Sequence, residues 1–187
     1  LTLEILGTAT PFNEAVYYAD LKTSSLINIG KDASLSARQN LSLASVADIK
    51  LEAGTSTSLF NLFNTESTQK VPSIAAIVAL ADSSSTVNVA GSLKAGKDLT
   101  ITSADDLTVE ASATAATKES KAVQTSVLVA KLKGTSDINV ESSALLDIVK
   151  DAGKVEISST QNSSVKTESS VVVQDGSYGG LAFNYTE

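Results

Sequence analysis

Apolar residues in this chain come in pairs separated by one polar residue: Val87 and Val89, Leu93 and Ala95, Leu99 and Ile101, Leu107 and Val109. A period of two belongs to a strand with one buried face, so the pattern predicts short β-strands. Between the pairs lie Gly, Lys, Asp, Ser and Asn, as in GSLKAGKD and SADD, which are turn formers. Successive pairs start 6, 6 and 8 residues apart, so the pattern at Val87 returns after 20 residues at Leu107, and the step from Ile27 to Ile49 is 22. Three short strands and three turns in 20–22 residues describe one coil of a right-handed parallel β-helix, in which each strand pairs with its equivalents in the coils above and below. About eight such coils, about 4.8 Å apart, would make a rod about 40 Å long.

Above this lies a longer repeat. Residues 33–53 (ASLSARQNLSLASVADIKLEA) superpose on 91–111 (GSLKAGKDLTITSADDLTVEA) at a constant offset of 58, with eight of 21 positions identical. An apolar-Asn-apolar triplet recurs at Asn28, Asn88 and Asn139, with offsets of 60 and 51. The expected organisation is one β-solenoid over residues 1–187, with superrepeats at about 15–75, 76–126 and 127–179 and a partial copy from 180. Residues 54–80 and 112–131 fit the short period poorly and are expected to be extended coils or protruding loops. A helix over Lys121 to Lys133 is the alternative to a strand there, because Val123, Val127 and Leu132 have roughly helical spacing. Pro11 and Pro72 are expected at strand starts or loops. Beginning at Leu1 rather than Met and ending at Glu187 inside a repeat, the chain is expected to be a piece of a larger repetitive protein.

Composition sharpens the core. The sequence is 42% hydrophobic but only 4% aromatic, with no Trp, Met, Cys or His, so Val, Ile, Leu and Ala must fill the interior. The net charge of −7 disfavours binding to nucleic acid or to anionic membranes. No apolar run approaches eighteen residues, so no membrane insertion is expected.

Chemistry is sparse. Without His or Cys, the usual general base, thiol nucleophile and zinc ligand are missing. Ser-x-x-Lys at Ser67–Lys70 and Ser163–Lys166 lies in Ser-rich segments with no helix to align it. Adjacent Asp105 and Asp106 read as a turn with solvated carboxylates, and Arg38 is the one arginine available to a lyase-type mechanism. The Gly30–Asp32 and Gly96–Asp98 steps lack the tandem nonapeptide of calcium-binding β-rolls and read as turns, with glycine supplying a positive φ. Asn28, Asn88 and Asn139 should point outward, several coils apart. Tyr17, Tyr18, Tyr178, Phe183 and Tyr185 either stack on sugar rings or cover a coil end, and sequons stand at Asn40, Asn162 and Asn184. No catalytic, metal or cofactor residue is expected.

The string xVNVxGxLxAGKDLTIxxxDDLTVEA, carried by Val87 to Ala111 and echoed at Ile27 to Ala53, resembles the filamentous-haemagglutinin-like adhesins of bacteria, and within them the large leukotoxin-type filamentous adhesins. The resemblance implies a long secreted chain at the bacterial cell surface, not an enzyme. Its β-helical shaft carries binding regions toward receptors or glycans on host or neighbouring cells. The other readings are a self-assembling sheath or matrix filament that associates end to end through open strand edges, and a β-helical polysaccharide-degrading enzyme.

Overall fold

A computed structural model describes residues 2–9, 14–57, 74–120, 124–150, 153–176 and 180–187. Those residues form eleven strands and no helix: β1 Thr2–Ala9, β2 Glu14–Ile29, β3 Ser34–Ala37, β4 Leu41–Thr57, β5 Ile74–Val89, β6 Ser92–Ala95, β7 Leu99–Ser120, β8 Gln124–Val140, β9 Leu145–Ile148, β10 Val155–Gly176 and β11 Gly180–Thr186. Every pairing is parallel and joins strands three elements apart. The orders are β1-β4-β7-β10 in sheet A, β2-β5-β8-β11 in sheet B and β3-β6-β9 in sheet C. The chain is a parallel β-solenoid, as its alternating pattern led us to expect.

The size of the coil differs from the 20–22 residues expected. Leu41 pairs with Leu99 and Ser103 with Ser159, steps of 58 and 56 residues, while Ser25 pairs with Ser85 and Ser85 with Ser136, steps of 60 and 51. The longer repeat is therefore the coil itself. Each coil has two long strands and one short one, not three short ones. The reason is visible in β7, where SADD is no turn: Ser103 and Asp105 are buried, so the period of two runs unbroken from Leu99 through Ala115. Polar residues on the inner face had imitated punctuation. Four strands about 4.8 Å apart, the longest of 22 residues at about 3.3 Å each, make a slab about 14 Å high and about 70 Å wide rather than a 40 Å rod.

Residues 54–57, 74–80, 112–120 and 124–131 continue the long strands and are not protruding loops, and 124–133 is strand, not helix. Pro11 and Pro72 lie outside the described residues, as does the segment 58–73.

In cross-section the three sheets enclose a triangular nose, and sheets A and B run on beyond it as a two-layer sandwich. Val87, Val89, Leu93, Ala95, Leu99 and Ile101 fill the nose. The sandwich core mixes Ile49, Leu51, Ile77, Leu107, Val109 and Leu128 with many alanines. Alanine lets two sheets approach closely where no third wall holds them apart.

The corners are tight. Gly96 N–H donates to the Ala37 carbonyl at 2.8 Å, and a Cβ on Gly96 would run into the Arg38 backbone, so glycine here serves close approach rather than the positive φ expected of it. Gly30 has open space around it. Gly96→Ala should therefore cost about 1–3 kcal/mol, while Gly30→Ala loses nothing to crowding. Urea denaturation of the two variants tests this, and equal midpoints would show that the corner relaxes freely.

Candidate functional site

Register places the residues singled out by sequence. Asn28, Asn88 and Asn139 stack in adjacent coils, not several coils apart, and Asn139 Nδ2 donates to Asn88 Oδ1 at 2.9 Å. They form an amide ladder on the outer face, with that bond joining its upper two members. Asp105 and Asp106 lie mid-strand in β7 rather than in a turn. Asp106 faces outward and accepts from Asn162 Nδ2 at 2.7 Å, while Asp105 is fully buried. Ser163 and Lys166, three apart on β10, point to opposite faces of the sheet. Ser67, Lys70 and Tyr178 lie outside the described residues. Gly30–Asp32 opens a turn closed by Ala33 N–H on the Gly30 carbonyl at 2.9 Å. Among the described residues no three acids converge as a metal site.

The sequence reading missed a file of hydroxyls. Ser25, Ser85 and Ser136 are register partners in sheet B, and Ser45, Ser103 and Ser159 in sheet A. The two columns interdigitate across the interior. Ser45 Oγ lies 2.8 Å from Ser25 Oγ, Ser85 2.9 Å from Ser45, and Ser103 2.8 Å from Ser85. Ser136 follows at 3.0 Å and Ser159 at 2.9 Å. Buried hydroxyls would be costly alone but here satisfy one another between nose and sandwich. The signal was available: all six serines sit two residues beyond an apolar pair, before it in sheet B and after it in sheet A.

One step toward the sandwich the satisfaction fails. Asp105 stands in register with Ala47 and Gln161, opposite the column that holds Ser83 and Gly134. A Cβ at residue 134 would overlap the Asp105 carboxylate, so Gly134 makes its room. Gln161 Nε2 donates to the Gly134 carbonyl at 2.7 Å. Both Asp105 oxygens and Ser83 Oγ lack a well-formed hydrogen bond. Burial pushes the Asp105 carboxyl above the usual aspartate range, and nearby Asp106 and Asp82 add to this. The pull of Ser83 and the Thr135 amide in the other direction is weaker.

The outer faces differ. The sandwich part of sheet A is polar, with Glu4, Glu52, Glu110 and Lys166 in one column. The matching part of sheet B is apolar outside as well as inside. One row across its strands is Val16, Ala76, Val127 and Phe183, and the next is Tyr18, Val78, Val129 and Tyr185. Tyr18 and Tyr185, expected as sugar platforms or end covers, thus share one outer face three strand spacings apart, while Tyr17 turns inward. Surface ion pairs such as Lys94–Asp147 at 3.1 Å and Lys133–Asp82 at 3.7 Å link coils, each worth less than about 1 kcal/mol.

Comparison of this chain with protein-family models, with curated proteins and with solved structures gives no match.

Proposed function

We propose that this chain is a structural segment of a secreted bacterial surface adhesin, in which stacked coils form a rigid body that presents binding surfaces to receptors or glycans on other cells. The observation that carries this reading is the persistence of the inner columns to both ends of the stack. Ile27, Val87 and Ile138 occupy one column, and Leu43, Ile101 and Ile157 another. The middle members are fully buried, yet Ile157 on the last strand of sheet A is 46% exposed. A rim with the same apolar columns as the middle suits a body that continues by further coils of the same kind. The stiffness of such a stack, and the lack of histidine and cysteine, favour scaffolding over turnover.

Antibody raised against this chain, applied to intact source cells with gold detection, tests the proposal. Label along surface structures is the expected result, and label that appears only after the envelope is opened would overturn it. The unpaired edges of β2 and β10 favour a second reading, a filament grown end to end from separate copies. Fibres that lengthen with protein concentration in purified material would select it.

A further inference from the structure

A strand that is apolar on both faces is normally covered on both faces. The first half of β5 reads IAAIVALA and the first half of β8 contains VLVA, whereas the second half of β5 reads DSSSTVNV, with polar residues outside. The inner residues Ala75, Ile77 and Ala79 are buried in the sandwich. Their outward neighbours, together with β2 and β11, make an apolar face four strands wide. Val16 is 67% exposed, Phe183 59% and Tyr185 48%, and the two rows across them contain no charge. No comparable face occurs among the described outer residues of sheet A, where hydroxyls, carboxylates and lysines predominate.

We infer that this face is a lateral docking surface for a second copy of the chain, distinct from the open ends of the stack. Its relief is self-complementary. Phe183 and Tyr185 form an aromatic ridge along the edge strand β11, while Ala76, Val78, Val127 and Val129 on the two central strands are shorter and form a trough beside it. A two-fold axis parallel to the strands, between two copies packed face to face, sets each ridge in the other's trough. Such a contact is isologous and closes at two. Seated ridge in trough, the two copies are offset along the sheet and overlap over about half of the four-strand face, about 200 Å² per copy, a quarter of a standard interface. The pairing is therefore weak between isolated copies. It is free of the charge repulsion that a net charge of −7 imposes elsewhere.

Sedimentation velocity on the 187-residue chain from about 10 µM to about 1 mM reads the association directly. The expected result is a shift from monomer to dimer with no larger species. Val129→Lys, which places a charge in the trough, should raise the midpoint concentration at least tenfold while leaving the far-UV spectrum and melting temperature unchanged. Should that variant fold poorly, Phe183→Ser on the exposed edge strand reads the same contact from the ridge side. Ile157→Lys, on the open rim, should leave the dimer intact. A monomer throughout the range would overturn the inference. So would a dimer that is indifferent to Val129→Lys and Phe183→Ser, or one abolished by Ile157→Lys.

Discussion

Replacing Leu99 with aspartate should unfold most of the nose of the solenoid, at a cost of at least about 4 kcal/mol. Leu99 has no solvent exposure, belongs to the nose core and sits in the middle coil between Leu41 and Val155. Losing a buried leucine costs about 2–3 kcal/mol, and an unpaired carboxylate in its place adds several more unless it takes up a proton. A stack whose coils are stabilised by their neighbours passes the damage to both sides, and the loss is comparable with the whole stability of an ordinary domain. Val155→Asp supplies the internal control. It occupies the same column on the open rim, where Val155 is 45% exposed, and should cost less than about 1 kcal/mol. Thermal melts by circular dichroism separate the two, and equal melting temperatures would mean that Leu99 does not face the core.

The second large effect has the opposite sign. Asp105→Ala should stabilise the fold by about 2–3 kcal/mol at pH 7, because it removes a buried carboxyl that lacks well-formed hydrogen bonds. Ala47, its register partner, shows that the column accepts a methyl group. The benefit should depend on pH. Because the folded carboxyl titrates above its unfolded value of about 3.9, the wild type keeps its full stability below that pH and loses stability as pH rises through the folded value. The gap between variant and wild type should therefore widen from acid toward neutral pH, in urea titrations at a series of pH values. A constant gap would mean that folding does not shift the titration of Asp105.

Much of this architecture was legible in the pattern of residues. The offsets of 58, 60 and 51 between repeats are the pairing registers of the sheets, because identical inward residues can stack only on one another. What misled the reading was the assumption that a polar residue interrupts a strand. Ser103 and Asp105 interrupt the apolar alternation without turning the chain, since the serine finds its hydrogen bonds across the interior and the aspartate simply bears the cost of burial. The apolar outer face of sheet B was written in IAAIVALA, but a run apolar at every position has no period, and only the observed sheet tells which half faces out. The amide ladder was recognised as a repeat, but its spacing was misjudged because it follows from the coil length.

That coil length has a consequence for how such a protein spends its residues. Each turn of 51–60 residues raises the stack by about 4.8 Å, roughly 0.09 Å per residue, against 1.5 Å per residue in a helix. Reaching about 100 Å above a surface would take more than a thousand residues. In exchange, each coil lays down about 140 Å of strand around its perimeter, counting β5, β6 and β7. A chain built to this plan gains wall faster than height, and selection acting on it would be felt first in what the wall displays.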